Sequence, residues 1–381
     1  MYILGGYFLI YLDYASNTPV DIRVLEAFYK TELEFLGNPN SSHQLGQLAF
    51  SKMQETIEKN ASLLNVSPNE IIYTSGSSES NNLALKGLSY LSRHKGKHVI
   101  TTCLEHSSVS ATLTYLQEQG YEIEFVDILP DGTIDIEHLK DIMRNDTIIV
   151  SVCYVDSELG TVQPISKIGE ILKQYPNCRF HVDGTQAVGK IQVNLESVDC
   201  FSFAPHKFYG LNGVGMLIKK EGLEIPQLIH GGKSTTIYRG GTPTLALAVS
   251  LYEALGISLE NLEDRYIYVE SLKNRLLEAF ENYPLVRVNS SARAVPHILN
   301  ISVKGVLGED FQKALDKYGV CVSVKSACSV ANNPSRAVLA VSKDKKNALN
   351  SFRISLSHLT TNEEIEEFIK IFDICYKELT E

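Results

Sequence analysis

Four stretches of this chain hold side chains whose types and spacing could do chemistry. In Phe201-Ser202-Phe203-Ala204-Pro205-His206-Lys207-Phe208-Tyr209-Gly210, a lysine follows an apolar run and sits among aromatic residues. Burial in such surroundings disfavours the ammonium form, and the neutral amine can then condense with a carbonyl. A lone lysine of this kind more often snorkels to the surface. In Phe180-His181-Val182-Asp183-Gly184-Thr185-Gln186, an acid ends an apolar run. A partly buried carboxylate needs a cationic partner, and a protonated ring nitrogen would serve, as would a salt bridge within the protein. Tyr73-Thr74-Ser75-Gly76-Ser77-Ser78-Glu79-Ser80-Asn81 runs from a strand through a Gly/Ser turn into a helix. Backbone N–H groups at such a helix start attract an anion, with the serine hydroxyls as further donors; a capping box is the plainer reading. Finally, Cys328 lies in Val324-Lys325-Ser326-Ala327-Cys328-Ser329-Val330-Ala331-Asn332-Asn333-Pro334. The small polar neighbours suit an exposed loop, and Lys325 favours the reactive thiolate.

These stretches need elements to hold them. Asp21 to Leu36 and Gly46 to Leu64 have helical spacing, separated by the turn-forming loop Gly37-Asn38-Pro39-Asn40-Ser41-Ser42-His43. From Glu70 onward, β-branched runs at 71–74, 98–102, 122–126, 147–152, 179–183, 200–203 and 214–218 alternate with helix-like stretches from about Glu79, at 109–119 and at 165–174. Such alternation predicts an α/β fold, with a mostly parallel sheet flanked by helices and ligands bound beyond the carboxyl ends of its strands. Past Leu245 the pattern changes: a long helix over 261–282, strands near 298–303 and 320–324, and a last helix over 362–379. This predicts a smaller α+β C-terminal domain. The expected division is 15–258 for the large domain, with 1–14 and 259–381 forming the small one.

The length of 381 residues suits two domains, since single cores stop growing at roughly 250–300 residues. A net charge of −10 without a long basic run argues against direct nucleic-acid binding. Seven scattered cysteines without a C-x-x-C pair fit a reducing cytoplasm and offer no metal site. The apolar N-terminal stretch is shorter than the ~20 residues that span a bilayer, so no membrane association is expected.

The ordered set Ser-Gly-x-x-Glu-Ser, Glu105-His106, Val-Asp-x-Thr-Gln, His206-Lys207 and Ser326-Ala327-Cys328 resembles the NifS/IscS-type cysteine desulfurases, fold-type-I pyridoxal 5′-phosphate (PLP) enzymes of the class V aminotransferase family. The likeness runs from Tyr11-Leu12-Asp13-Tyr14 to Thr360-Thr361-Asn362-Glu363-Glu364-Ile365. It implies a fold-type-I PLP transferase that converts L-cysteine to L-alanine and passes sulfur, as a persulfide on Cys328, to an acceptor protein. Lys207 would carry the cofactor as a Schiff base and shuttle protons. Asp183 would pair with the pyridine nitrogen, Gln186 with the phenolic oxygen, and His106 would stack on the ring and act as acid or base. Ser77, Ser78 and His206 would hold the phosphate, and Thr242 would reach it from a second subunit, which implies a homodimer. Ser157 stands where the family has an asparagine on the cofactor oxygen. Arg353 would clamp the substrate carboxylate, and Asn38 falls where the family lines the substrate site.

Some positions depart from the pattern. Val155-Asp156-Ser157-Glu158 replaces the usual Asn-Asn-Glu, Ala204-Pro205 replaces Ser-Gly, Lys233 stands in a third Gly position, and Ser357-His358 replaces Gly-Arg. They suggest a specialised desulfurase with one sulfur acceptor, in iron–sulfur cluster assembly, tRNA thiolation or thiamine synthesis. The competing readings are another PLP reaction on the same fold, such as selenocysteine lysis or transamination, and a non-catalytic scaffold.

Overall fold

Short β-branched runs cannot bury themselves alone, and in the computed structural model they pair into one large sheet wrapped by the intervening helices. The structure describes residues 2–4, 7–232, 236–324 and 333–381; Cys328, Lys325 and Lys233 lie outside the described residues. The chain opens with strands β1 (Tyr2–Leu4) and β2 (Tyr7–Tyr11), then helices α1 (Ile22–Glu34) and α2 (Gln44–Leu64). Next come β3 (Ile71–Thr74), α3 (Ser77–Ser92), β4 (His98–Thr101), α4 (Ser107–Glu118), β5 (Glu122–Phe125), α5 (Ile136–Ile142) and β6 (Thr147–Cys153). They are followed by α6 (Ile165–Leu172), β7 (Arg179–Asp183), β8 (Cys200–Phe203), β9 (Gly215–Lys219) and α7 (Leu245–Glu260). The last third holds α8 (Leu262–Phe280), β10 (Val286–Val288), β11 (Ile298–Val303), α9 (Gly308–Asp316) and β12 (Val320–Cys321). It ends with α10 (Arg336–Ser342), α11 (Lys345–Leu349), β13 (Ser351–Ser355) and α12 (Asn362–Thr380).

The large sheet has the order β3-β9-β8-β7-β6-β4-β5. From β5 through β8 all pairings are parallel; β9 turns antiparallel against β8 and β3. Every residue of β6, β8 and β9 is buried, as expected for strands covered on both faces. In register, Cys153 faces Asp183 and Asp183 faces Ser202, so β6, β7 and β8 finish level with one another. Two close approaches require glycine there. A Cβ on Gly184 would come 1.9 Å from the Phe201 ring, and one on Gly215 would come 2.5 Å from the Gly76 backbone.

Two three-stranded sheets complete the fold, β10-β11-β13 and β1-β2-β12. A separate apolar cluster joins Ile10 and Leu12 of the N-terminal segment to Leu272 and Leu276 of α8, Phe352 and Ile354 of β13, and Phe368 and Phe372 of α12. The chain therefore starts beside its own C-terminal third.

The expected elements of the sheet are found, with shifts of a residue or two at their ends. The helix expected from about Glu79 starts at Ser77, which puts both serines inside its first turn. The strand expected over 320–324 stops at Cys321, and Ser323 makes only an isolated bridge to Arg353. Helix α7 was not expected from the spacing, because it is apolar on nearly every side and buried along its length.

Candidate active site

The level ends of β6, β7 and β8 open onto a cavity of about 180 Å³. Its lining brings together Ser77, Ser78, His106, Ser157, Asp183, Gln186, His206, Lys207 and Arg353, nine of the twelve residues singled out in the sequence. Among the other three, Cys328 is outside the described residues. Asn38 is exposed in the loop before α2, where its side chain accepts a hydrogen bond from the Asn40 N–H. Thr242 lies in a different depression, beside Tyr73, Thr74 and Arg239.

Lys207 ends a single 3-10 turn, Pro205–Lys207, which follows β8 directly. Its Nζ donates to the carbonyls of Ala15 at 2.9 Å and Ser16 at 2.5 Å. Beneath it, buried Lys190 donates from Nζ to the Lys207 carbonyl at 3.2 Å. Burial, reinforced by the neighbouring Lys207 and Arg353 cations, brings the Lys190 amine down to about 7. The adjacent His206 is held neutral in the same way, mainly by burial and then by Lys207, at about 4.

Asp183 is the last residue of β7 and is 5% exposed. Its Oδ1 accepts from the N–H and hydroxyl of Thr185, and its Oδ2 from Asn81 Nδ2 at 2.8 Å. Asn81 spends its other amide hydrogen on Ser108 Oγ at 2.9 Å, and Ser108 in turn bonds His106 Nδ1 at 2.9 Å. The Ser108 backbone N–H also donates to His106 Nδ1, so the neutral ring keeps its proton on Nε2. Burial is the main cause that lowers the affinity of His106 for a second proton, against the pull of Asp183. A chain of four side chains thus joins the acid to the imidazole.

Ser77 and Ser78 open α3, where the unpaired N–H groups of a helix start favour a phosphate. Glu79 in the same turn accepts from Ser75 N–H at 2.7 Å and pairs with Arg239 Nε at 2.8 Å. Arg353, on the buried strand β13, donates from Nη1 to the Ser157 carbonyl at 2.7 Å. Its Nη2 bonds Asp13 Oδ1 at 2.8 Å and Ser16 Oγ at 2.7 Å. Next to the cavity, Glu105 is buried and its carboxyl is raised by burial to about 8.

Do these groups fit PLP? The Gln186 amide donates to the Ala15 carbonyl at 2.8 Å, which leaves its buried Oε1 without a partner among the described residues. An orphaned buried acceptor in a cavity wall is costly unless a ligand satisfies it. An amine for an aldehyde, an acid for a ring nitrogen and a helix start with two hydroxyls for a phosphate complete the donor set. The residues fit the cofactor.

Reasoning from sequence missed Ser16, Asn81 and Lys190. Asn81 had a signal, since it falls four residues after Ser77 on one helix and so shares its face. Ser16 and Lys190 had none, because their partners lie far along the chain.

The family model described as aminotransferase class-V matches residues 10–368. The cysteine desulfurase IscS of Dechloromonas aromatica is 38% identical over 370 residues, covering 95% of this chain and 91% of that one. A NifS/IcsS protein homolog of Lactobacillus delbrueckii subsp. bulgaricus is 35% identical over 375 residues, covering 97% of each. Among solved structures, a NifS-like protein superposes with a TM-score of 0.90 at 33% identity, covering 96% of this chain and 99% of that one. A solved structure of SspA in complex with cysteine superposes with a TM-score of 0.80 at 29% identity, covering 92% of this chain and 99% of that one.

Proposed function

Because the chain belongs to the aminotransferase class-V family and is a PLP-dependent cysteine desulfurase, we propose that Lys207, His106, Asp183, Arg353 and Cys328 divide its work as follows. The observation that carries this reading is the meeting of Lys207 Nζ, the Asp183 carboxylate and the Arg353 guanidinium in one cavity of about 180 Å³. When bound, PLP supplies an electron sink for the pair of electrons released at the substrate Cα. Lys207 Nζ holds the cofactor and moves the proton at that carbon. Asp183, fixed by Thr185 and Asn81, keeps a proton on the ring nitrogen. His106 presents the proton on Nε2 and stacks on the ring, while Gln186 and Ser157 meet its oxygen side. Ser77, Ser78 and His206 take the phosphate, with Thr242 arriving from a partner subunit. Arg353 orients the substrate through its carboxylate, and Asn38 belongs to the rim. The Cys328 thiolate takes the sulfur of L-cysteine, giving L-alanine and a persulfide on Cys328.

A homodimer is supported by an apolar ridge along α1, where Ile22, Tyr29 and Leu33 are 64%, 66% and 66% exposed, with Leu36 just past its end 85% exposed. The domain division at 14/15 and 258/259 is supported by the apolar cluster that joins Ile10 and Leu12 to the C-terminal third. Cys103, Cys153, Cys178, Cys200, Cys321 and Cys375 are free thiols, which supports a reducing cytoplasm. No single described helix is long and apolar enough to cross a membrane. We assign the persulfide sulfur to an acceptor protein, in iron–sulfur cluster assembly or tRNA thiolation.

Intact mass after addition of L-cysteine tests the scheme. A gain of one sulfur atom is expected, absent in Cys328→Ala, and Lys207→Ala should lose the visible absorption band. Full-rate alanine production by Cys328→Ala would overturn it.

A further inference from the structure

The Arg353 guanidinium is already occupied. It is 2% exposed, and both hydrogens of Nη2 are taken: one by Asp13 Oδ1 at 2.8 Å and the other by Ser16 Oγ at 2.7 Å. Either planar edge of a guanidinium that can grip a carboxylate bidentately, Nε with Nη2 or Nη1 with Nη2, uses an Nη2 hydrogen. A carboxylate arriving at Arg353 therefore has to displace one of these two acceptors. The choice between them is decided by charge. Asp13 offers an anion in a largely buried ion pair, while Ser16 offers only a neutral hydroxyl without a charge to hold the guanidinium. Ser16 can also let go without being stranded. Its Oγ donates to Asp13 Oδ1 at 2.9 Å and lies 3.4 Å from Ser323 Oγ. Meanwhile the buried Nε has no partner among the described residues, so the guanidinium has unused donor capacity on that edge.

We propose that Ser16 is a placeholder on Arg353 which the substrate carboxylate displaces, with Asp13 as the fixed anchor, so that these two residues set how tightly an amino-acid carboxylate is held. This rests on Arg353 being the carboxylate clamp. It makes Ser16 a specificity-determining residue: a ligand without a carboxylate leaves the hydroxyl in place and gains nothing from its removal. Asp13 is a positioning residue. Loss of its charge would free Arg353 to swing and would leave a buried guanidinium short of its counter-ion.

The test uses the PLP-loaded enzyme with three probes: L-cysteine, propionate as a carboxylate without an amine, and 2-aminoethanethiol, which is cysteine without its carboxylate. In Ser16→Ala, the KM for L-cysteine and the Ki of propionate should both fall by about two- to tenfold, the range expected when one competing hydrogen bond is removed. The effect should fall on KM rather than kcat, and the Ki of 2-aminoethanethiol should move by less than about twofold. Arg353→Lys distinguishes the clamp from the placeholder. If it leaves the propionate Ki unchanged, the clamp itself is wrong. If it raises that Ki while Ser16→Ala fails to lower it, the clamp stands and the placeholder is refuted. An equal change for 2-aminoethanethiol in Ser16→Ala would also refute it.

Discussion

At the scale of single residues, the site is governed by which groups are kept neutral. Lys190 lies buried under the turn that carries Lys207, and its nearest charged neighbours, Lys207 and Arg353, are both cations. Its folded value of about 7 lies below the ordinary 10.5. Between those two values the unfolded chain binds more protons than the folded one, so this group makes stability rise with pH across that window. Glu105 works in the opposite sense, since burial raises its carboxyl from 4.5 to about 8. In Lys190→Met the other groups cancel when the variant is compared with the parent. The variant should therefore be relatively most stable near pH 7, and the difference should decline steadily toward pH 10. Urea unfolding of both proteins at three or four pH values checks this; a difference that stays flat with pH would contradict it. The motif residues Asp183 and Lys207 were legible because each is announced by its immediate neighbours, an apolar strand and the turn behind it. Ser16 meets Arg353 across a separation of 337 residues, and no local pattern encodes that.

At the scale of elements, the site depends on strand ends that finish level and on turns pressed tightly together. The phosphate-type turn before α3 leans on β9, where Gly215 leaves only enough room for the Gly76 backbone. Gly215→Ala would drive a methyl into that backbone, 2.5 Å from the Gly76 carbonyl carbon. We expect a cost of about 1–3 kcal/mol in stability, typical of overpacking. Weaker retention of PLP should accompany it, because the displaced turn is the one that presents Ser77 and Ser78. Denaturation midpoints and a PLP titration measure the two effects. The same elements show why prediction of secondary structure worked where it did. β6 and β7 are short apolar runs bounded by turns, and α12 carries a clear one-sided stripe. Helix α7 is surrounded by other elements and so shows no stripe at all. β12 is two residues long because it pairs only with β2, and Ser323 after it bridges to Arg353 instead.

At the scale of the whole molecule, a single chain leaves two features without an occupant. Ile22, Leu25, Tyr29 and Leu33 form an exposed ridge at helical spacing on α1, with exposed Leu36 just beyond its end, and Thr242 lies outside the cavity of its own chain. A partner subunit would cover the first and receive the second. Tyr29→Glu combined with Leu33→Glu should yield a monomer by sedimentation velocity, with PLP bound much more weakly; a dimer of undiminished stability would count against this surface. The fold class was legible from the alternation of strands and helices. The closing of the N-terminal segment onto the C-terminal third was only half visible, since pairing between distant short strands leaves little trace in either.

That closure has a consequence for the life of the chain before it is an enzyme. Ile10 pairs with Val320, and Asp13 bridges to Ser355. The segment that receives Lys207 Nζ and Arg353 is thus made long before the strands it pairs with, and it finds its place only after they have followed. Contacts of such long range form late, after loops of more than three hundred residues have closed. Lys207 and Asp183 are therefore made before the cavity that sets them is complete, since its walls close only once Arg353 and Ser355 have followed.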